Sequence, residues 1–162
     1  KHINPDIEIL KTYHPGAIEV AFGDPEWGAT TSRQAMDNGA DVIFAAGGAT
    51  GNGGLIEIAS EAEAGSRVFC IGVDLDQWYS VPEAQPCLIT SAEKHMVQGV
   101  SDLIVQAAAG EMPTGNVYGT VGLAPYHDFD SQISDEIKAT IEEIAAALND
   151  GSMVTGHEFG ME

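Results

Sequence analysis

Apolar positions along this chain switch repeatedly between short continuous runs and helical spacing, the pattern of strands alternating with helices. Residues 7–13 predict a strand, entered from the turn-forming Asn4-Pro5-Asp6. A helix is expected over 24–38, because Asp24 can cap it, Pro25 suits its first position and Gly39 ends it. Residues 41–46 read as the next strand. The glycine-rich stretch 47–54 is expected to be a loop that runs into a short helix over 55–64, stopped by Gly65, with a third strand at 68–73. An aperiodic stretch follows over 74–86, then a short strand at 88–90.

Ser91 can cap a helix reaching Ala109, since Met96, Val97, Val100, Leu103, Ile104 and Ala107 recur on one face. Residues 117–121 give the last strand candidate. Ile133, Ile137, Ile141, Ile144 and Leu148 then mark an amphipathic helix, with Asp135 and Glu136 in the first turn, where its dipole favours acids. The tail 149–162 is Gly-rich and expected to be loose. Strands alternating with helices of this length imply an α/β fold, a parallel sheet with helices on both faces, because a parallel pair needs a crossover and the crossover is ordinarily a helix.

Charge narrows the function classes. Among 162 residues, 6 are Lys or Arg and 25 are Asp or Glu, giving a formal charge of -19. Nucleic-acid binding needs a positive field to displace counterions, and so few cations do not supply it; the same field opposes docking on an anionic membrane. With 44% hydrophobic residues, the charge belongs to the surface of a packed body rather than to a disordered tail. It also suits life in high salt. No apolar run approaches the ~18–20 residues that span a bilayer, and no basic-then-apolar start reads as a signal peptide. A cytosolic protein or a trimmed mature form is expected, and the opening Lys1-His2-Ile3 without Met favours trimming. Cys70 and Cys87 lie in strand-like apolar runs and are expected as buried free thiols, with a disulfide open if those strands are neighbours.

In open α/β sheets ligands gather at the carboxyl ends of the strands, so the residues just after each strand are the informative ones. Phe22 follows the first strand and its loop, immediately before a helix. Gly47 and Gly48 open the glycine-rich stretch after the second strand, Asp74 follows the third strand, and Lys94 follows the fourth. An aromatic face, exposed amides, a carboxylate and an ammonium suit a base plus a sugar: the ring stacks, the carboxylate accepts from a vicinal diol, and the cation and amides hold other oxygens. Each also has a plainer reading. Phe22 can staple a helix, the glycines can make a turn, Asp74 can cap one, and Lys94 can be a solvated first-turn residue, although a cation there opposes the dipole.

Catalytic constellations are thinner. Gly47 to Gly53 followed by Asp74 admits a dinucleotide-dependent enzyme, but there is no clean G-x-G-x-x-G and a whole helix intervenes. A phosphate-binding Gly-Lys-Ser/Thr, a G-x-S-x-G elbow and an H-E-x-x-H are all absent. His127, beside Asp128, reads as part of a chain reversal in which Asp and His side chains bond backbone. Asp74 and Asp76 are too few for calcium. No enzyme activity, cofactor or metal is expected. A ligand-sensing regulatory protein on the same fold is a further alternative.

The chain resembles the basic membrane protein family of ABC-transporter solute-binding proteins, the purine-nucleoside-binding lipoprotein group. The resemblance is carried by Phe22-Gly23-Asp24-Pro25, by residues 39–48, by Ile71-Gly72-Val73-Asp74 and Asp76-Gln77, by Thr90-Ser91 and Lys94, and most specifically by residues 121–131, which include Pro125-Tyr126-His127-Asp128. It implies a type I periplasmic-binding-protein lobe closing on a nucleoside, with an ABC permease as partner and an extracytoplasmic location, lipid-anchored in the full-length form. Phe22 then looks like the aromatic that stacks on the base, Asp74 like the ribose carboxylate, Lys94 like the cation at the sugar, and Gly48 like a backbone contact. Trp27 and a lengthened 78–86 depart from the family pattern and are expected to alter the cleft rim. Residues 1–148 would be most of the carboxyl-terminal lobe, and 149–162 a tail. The amino-terminal lobe and the first strand and helix of this lobe would lie outside the chain, as a bound fragment or a neighbouring chain filling a gap in the sheet.

Overall fold

A computed structural model describes residues 3–155, which divide into one compact unit running to His127 and a second beginning at Asp128. The first unit contains α1 (Ile18–Ala21), α2 (Pro25–Asp37), β1 (Val42–Phe44), α3 (Gly48–Ala59), β2 (Phe69–Asp74), α4 (Gln77–Ser80), β3 (Leu88–Lys94), α5 (Met96–Ala109) and β4 (Val121–Leu123), with a 3-10 turn at Pro82–Ala84. The sheet order is β1-β2-β3-β4. The first three strands are parallel, as the crossover pattern requires, and β4 runs antiparallel to β3, where a parallel sheet was expected.

The core forms where α3 and the 3-10 turn meet the sheet: Ile43, Leu55, Ile58, Val81, Ala84 and Leu88 are buried together with both cysteines. Cys70 and Cys87 are joined in a disulfide, which corrects the expectation of free thiols. Cys87 immediately precedes β3, and the Cys70 amide donates to the Cys87 carbonyl at 2.7 Å, so their Cα atoms lie 5.1 Å apart, within bridging distance.

Three helix boundaries differ from the sequence expectation. The predicted loop 47–54 is the first half of α3, and its glycines answer to packing. A Cβ on Gly51 would overlap the Ala45 carbonyl, and one on Gly28 of α2 would overlap the Thr50 carbonyl, so glycine permits the α2 and α3 backbones to touch. At its far end α3 stops at Ala59 rather than reaching Ala64. Ser91 caps no helix. It is fully buried inside β3, which continues to Lys94 because the ladder to β2 runs through Gly72–Ser91, Val73–Ala92 and Asp74–Glu93; α5 starts at Met96 with no side-chain cap. The last strand lies at Val121–Leu123 instead of 117–121, in register with Lys94 and Ala92.

Residues 7–13 form no strand. They are exposed, and a strand needs a neighbour to take its backbone hydrogen bonds; among the described residues none pairs with them, and β1 pairs only with β2. The apolar face of α5 is also uncovered, with Met96, Val97, Val100 and Ile104 exposed.

The second unit is built on α6 (Asp135–Asn149), where the periodicity placed a helix. Ser134 caps it by accepting from the Ile137 amide, and the Lys138 ammonium holds the Asp130 carboxylate at 2.8 Å. The expected loose tail begins with ordered turns, since the Met153 amide donates to the Ala147 carbonyl and the Ser152 amide to the Asp150 carboxylate; residues 156–162 lie outside the described residues.

Candidate functional site

A cavity of about 560 Å³ opens at the carboxyl ends of β1, β2 and β3, and Phe22, Gly47, Gly48, Asp74 and Lys94 all line it. Three strand tips deliver three of the chemistries. Chain direction in a parallel sheet places every carboxyl end on one edge, so residues far apart in sequence meet there.

Phe22 arrives from the turn before α2 and is fixed by Thr50. The Thr50 hydroxyl donates to the Ala21 carbonyl and accepts from the Asp24 amide, each at 2.8 Å, and the Thr50 amide donates to the Phe22 carbonyl at 3.4 Å. Thr50 therefore clips the first turn of α3 to both sides of the aromatic residue. Gly48 has φ +57, and a Cβ there would stand 3.2 Å from the Phe22 carbonyl oxygen and 3.4 Å from its ring. Glycine at 48 lets the ring lie against the start of α3. Phe22 stays 56% exposed, leaving ring surface for another flat group.

Below Phe22, Asp24 caps α2 by accepting from the Trp27 amide, and its second oxygen lies 3.3 Å from His14 Nε2. The Trp27 amide, and after it the His14 ring, hold the Asp24 carboxyl below its ordinary value of 3.8. Trp27 itself packs edge-on against His14, ring centres 4.8 Å apart.

Asp74 is the last residue of β2 and has φ +71, unusual outside glycine. The Leu75 amide donates to the Val73 carbonyl at 2.9 Å, closing a three-residue γ-turn with Asp74 at its centre, a strained conformation for a residue with a side chain. Lys94 Nζ lies 2.6 Å from Asp74 Oδ1, with side chains 63% and 43% exposed. Solvent screens so open a pair, which contributes at most about 1 kcal/mol, so a ligand can compete for both partners. Lys94 sits at a strand end, not in the first turn of a helix, which removes the conflict with a helix dipole.

Sequence reasoning missed three residues. Thr50 gave no signal because its role depends on α3 beginning at Gly48. Glu93 lines the cavity beside Lys94 and lies 3.8 Å from the His95 ring. Gln77 is buried behind the Asp74 turn, where it bonds three elements.

His127 does not bond backbone as expected. Its Nε2 lies 2.9 Å from Asp76 Oδ2, its ring stacks on Trp78 with centres 4.6 Å apart and planes 17° apart, and Tyr79 meets it edge-on. Asp76 caps α4 with its other oxygen. Neither Trp27 nor residues 78–86 contribute to the cavity wall, so the expected change to the rim is not seen there. Among the described residues no group of His, Cys, Asp and Glu is arranged to hold a metal, and no helix is long and apolar enough to cross a membrane.

The sequence is 32% identical over 173 aligned residues to a CD4+ T-cell-stimulating antigen of Listeria monocytogenes, covering 94% of this chain and 44% of that protein. It is 39% identical over 94 residues to basic membrane protein A1 of Borrelia garinii, covering 58% of this chain and 25% of that one. Among solved structures, an ABC transporter solute-binding protein of Aeropyrum pernix superposes with a TM-score of 0.67 at 22% identity, over 85% of this chain and 46% of that one. A transcriptional activator of the comK gene from Bacillus halodurans gives 0.68 at 18%, over 83% and 45%. These two establish the fold. The family model described as ABC transporter substrate-binding protein, PnrA-like, matches residues 1–125, and the chain belongs to that family, Bmp.

Proposed function

We propose that this chain is one lobe of a two-lobed extracytoplasmic protein that captures a purine nucleoside and passes it to an ABC permease. A single observation carries the reading: Phe22, Asp74, Lys94 and the backbone at Gly47 and Gly48 line one cavity of about 560 Å³, inside the ~300–1,000 Å³ range of small-molecule sites. The Phe22 ring stacks on the base. Asp74 accepts from the ribose diol through the oxygen that Lys94 does not hold, and Lys94 donates to a sugar oxygen. No side chain is asked to move a proton, which fits a family of substrate-binding proteins.

Residues 1–148 form most of the carboxyl-terminal lobe, with 149–162 as its tail. On a bound fragment or a neighbouring chain, the amino-terminal lobe supplies the opposite wall of the cleft, and the first strand of this lobe lies beside β1. Three facts support this: the chain spans 44% of its Listeria relative, β1 has one pairing partner among the described residues, and residues 7–13 have none. The buried disulfide suits export to an oxidising compartment.

Saturation-transfer NMR of the chain with inosine, adenosine, guanosine and free ribose tests the reading, because it detects the weak binding expected of half a cleft. Nucleoside signals that exceed those of ribose and weaken in Asp74→Ala support it. Equal absence of signal from all four overturns it.

A further inference from the structure

We infer that Gln77 is a positioning residue for ligand binding, holding the Asp74 turn in its strained shape and tying that turn to the other two site-bearing elements. The inference rests on the assignment of Asp74 to the sugar made above. Gln77 is 7% exposed, and both ends of its side-chain amide and its backbone N–H bond in three directions. Its Oε1 accepts from the Val73 amide at 2.8 Å, one residue before Asp74. Its Nε2 donates to Asn52 Oδ1 at 2.7 Å, in the helix that begins at Gly48. Its backbone amide donates to Ser91 Oγ at 3.1 Å, in the strand that ends at Lys94.

Room for this side chain is made in the strand itself. A Cβ on Gly72 would stand 2.6 Å from both Gln77 Oε1 and Ser91 Oγ, so a side chain at 72 would expel the amide. A γ-turn with positive φ at a non-glycine residue persists only when its surroundings over-determine it. Here the Leu75 amide closes the turn from inside, Gln77 grips the residue before it, and Asp76, capping α4 and facing His127, fixes the residue after the next. Released from Gln77, the turn relaxes toward ordinary backbone and the Asp74 carboxylate leaves its place beside Lys94. Phe22, held separately by Thr50, stays where it is.

That separation defines the test. Ligand-observed NMR titrations compare inosine, which carries the sugar, with hypoxanthine, which does not, for the wild type, Gln77→Met, Asp74→Ala and the double variant, with circular dichroism confirming the fold. Met keeps length and volume while removing both amide functions. Inosine binding by Gln77→Met is expected to weaken about tenfold with hypoxanthine unchanged, and adding Gln77→Met to Asp74→Ala is expected to cost nothing more, because the two act as one unit. If Gln77→Met does not fold, Asn52→Ala, which removes only one partner of the amide, is expected to show the same selective loss at smaller size. Unchanged inosine binding, equal losses for inosine and hypoxanthine, or additive losses in the double variant overturn the inference while leaving the nucleoside reading intact. A wild type that binds neither ligand overturns both.

Discussion

Breaking the Cys70–Cys87 bridge is expected to destabilise the first unit by about 3 kcal/mol. The two residues are 17 apart in sequence, and in the chain-entropy description a closed loop of that size removes about 10 cal/mol/K from the unfolded ensemble, or about 3 kcal/mol at 25 °C. Both cysteines are fully buried, so reduction should require unfolding and leave the native packing nearly unchanged. Urea unfolding of oxidised and reduced protein measures the difference. With a slope of about 2 kcal/mol/M, the midpoint should fall by about 1.5 M on reduction. The free thiols should react with an alkylating agent only in denaturant. A midpoint shift under about 0.5 M at unchanged slope, or alkylation of the native protein as fast as of the unfolded one, would refute the reasoning.

Phe22→Ala should weaken inosine binding by about 1–3 kcal/mol, the range for loss of one aromatic–base stack, while ribose binding stays as it was; a matching loss for ribose would exclude stacking as the cause. Gly51→Ala drives a methyl into the Ala45 carbonyl and should cost about 1–3 kcal/mol in urea unfolding, whereas Gly99→Ala, in open space on α5, should be neutral or stabilising; equal effects at the two sites would contradict the packing described. Because Asp24 is held below its ordinary value of 3.8, it adds stability above that value, and the contribution disappears as pH falls through the lower native value. The stability gap between wild type and Asp24→Asn should therefore be constant above about pH 5 and shrink on acidification, and a gap independent of pH down to pH 2 would rule out a stabilising charge at the cap.

The strands and helices with strong periodicity were legible in the sequence because period reports which face is buried. Pro25 after Asp24, and the Ile133-to-Leu148 stripe, became helices where the pattern put them. Residues 47–54 misled because glycine is counted locally as a helix breaker, while here its missing side chain is what brings α3 against α2 and Ala45. Ser91 misled for a related reason: its hydroxyl satisfies Gln77 in the interior instead of a helix terminus. Residues 7–13 have the composition of a strand, but pairing is a property of two segments and cannot be read from one. Asp74 was readable because it closes a strand whose end could be guessed, whereas Phe22 follows a short helix and not the expected strand, Gly48 opens a helix, and Lys94 ends a strand expected to stop at residue 90. Gln77, Thr50 and Glu93 were not, since their roles depend on which elements lie next to one another.

The contact of α2 with α3 is made backbone to backbone, and such a contact has no rotamers with which to absorb a misfit. Phe22, just before α2, and Gly48, at the start of α3, meet at the same end of this pair and are thus parts of a single stiff bracket. Adjustment of the cavity to occupants of different size would then fall to its other side, where the long, exposed Lys94 side chain can swing.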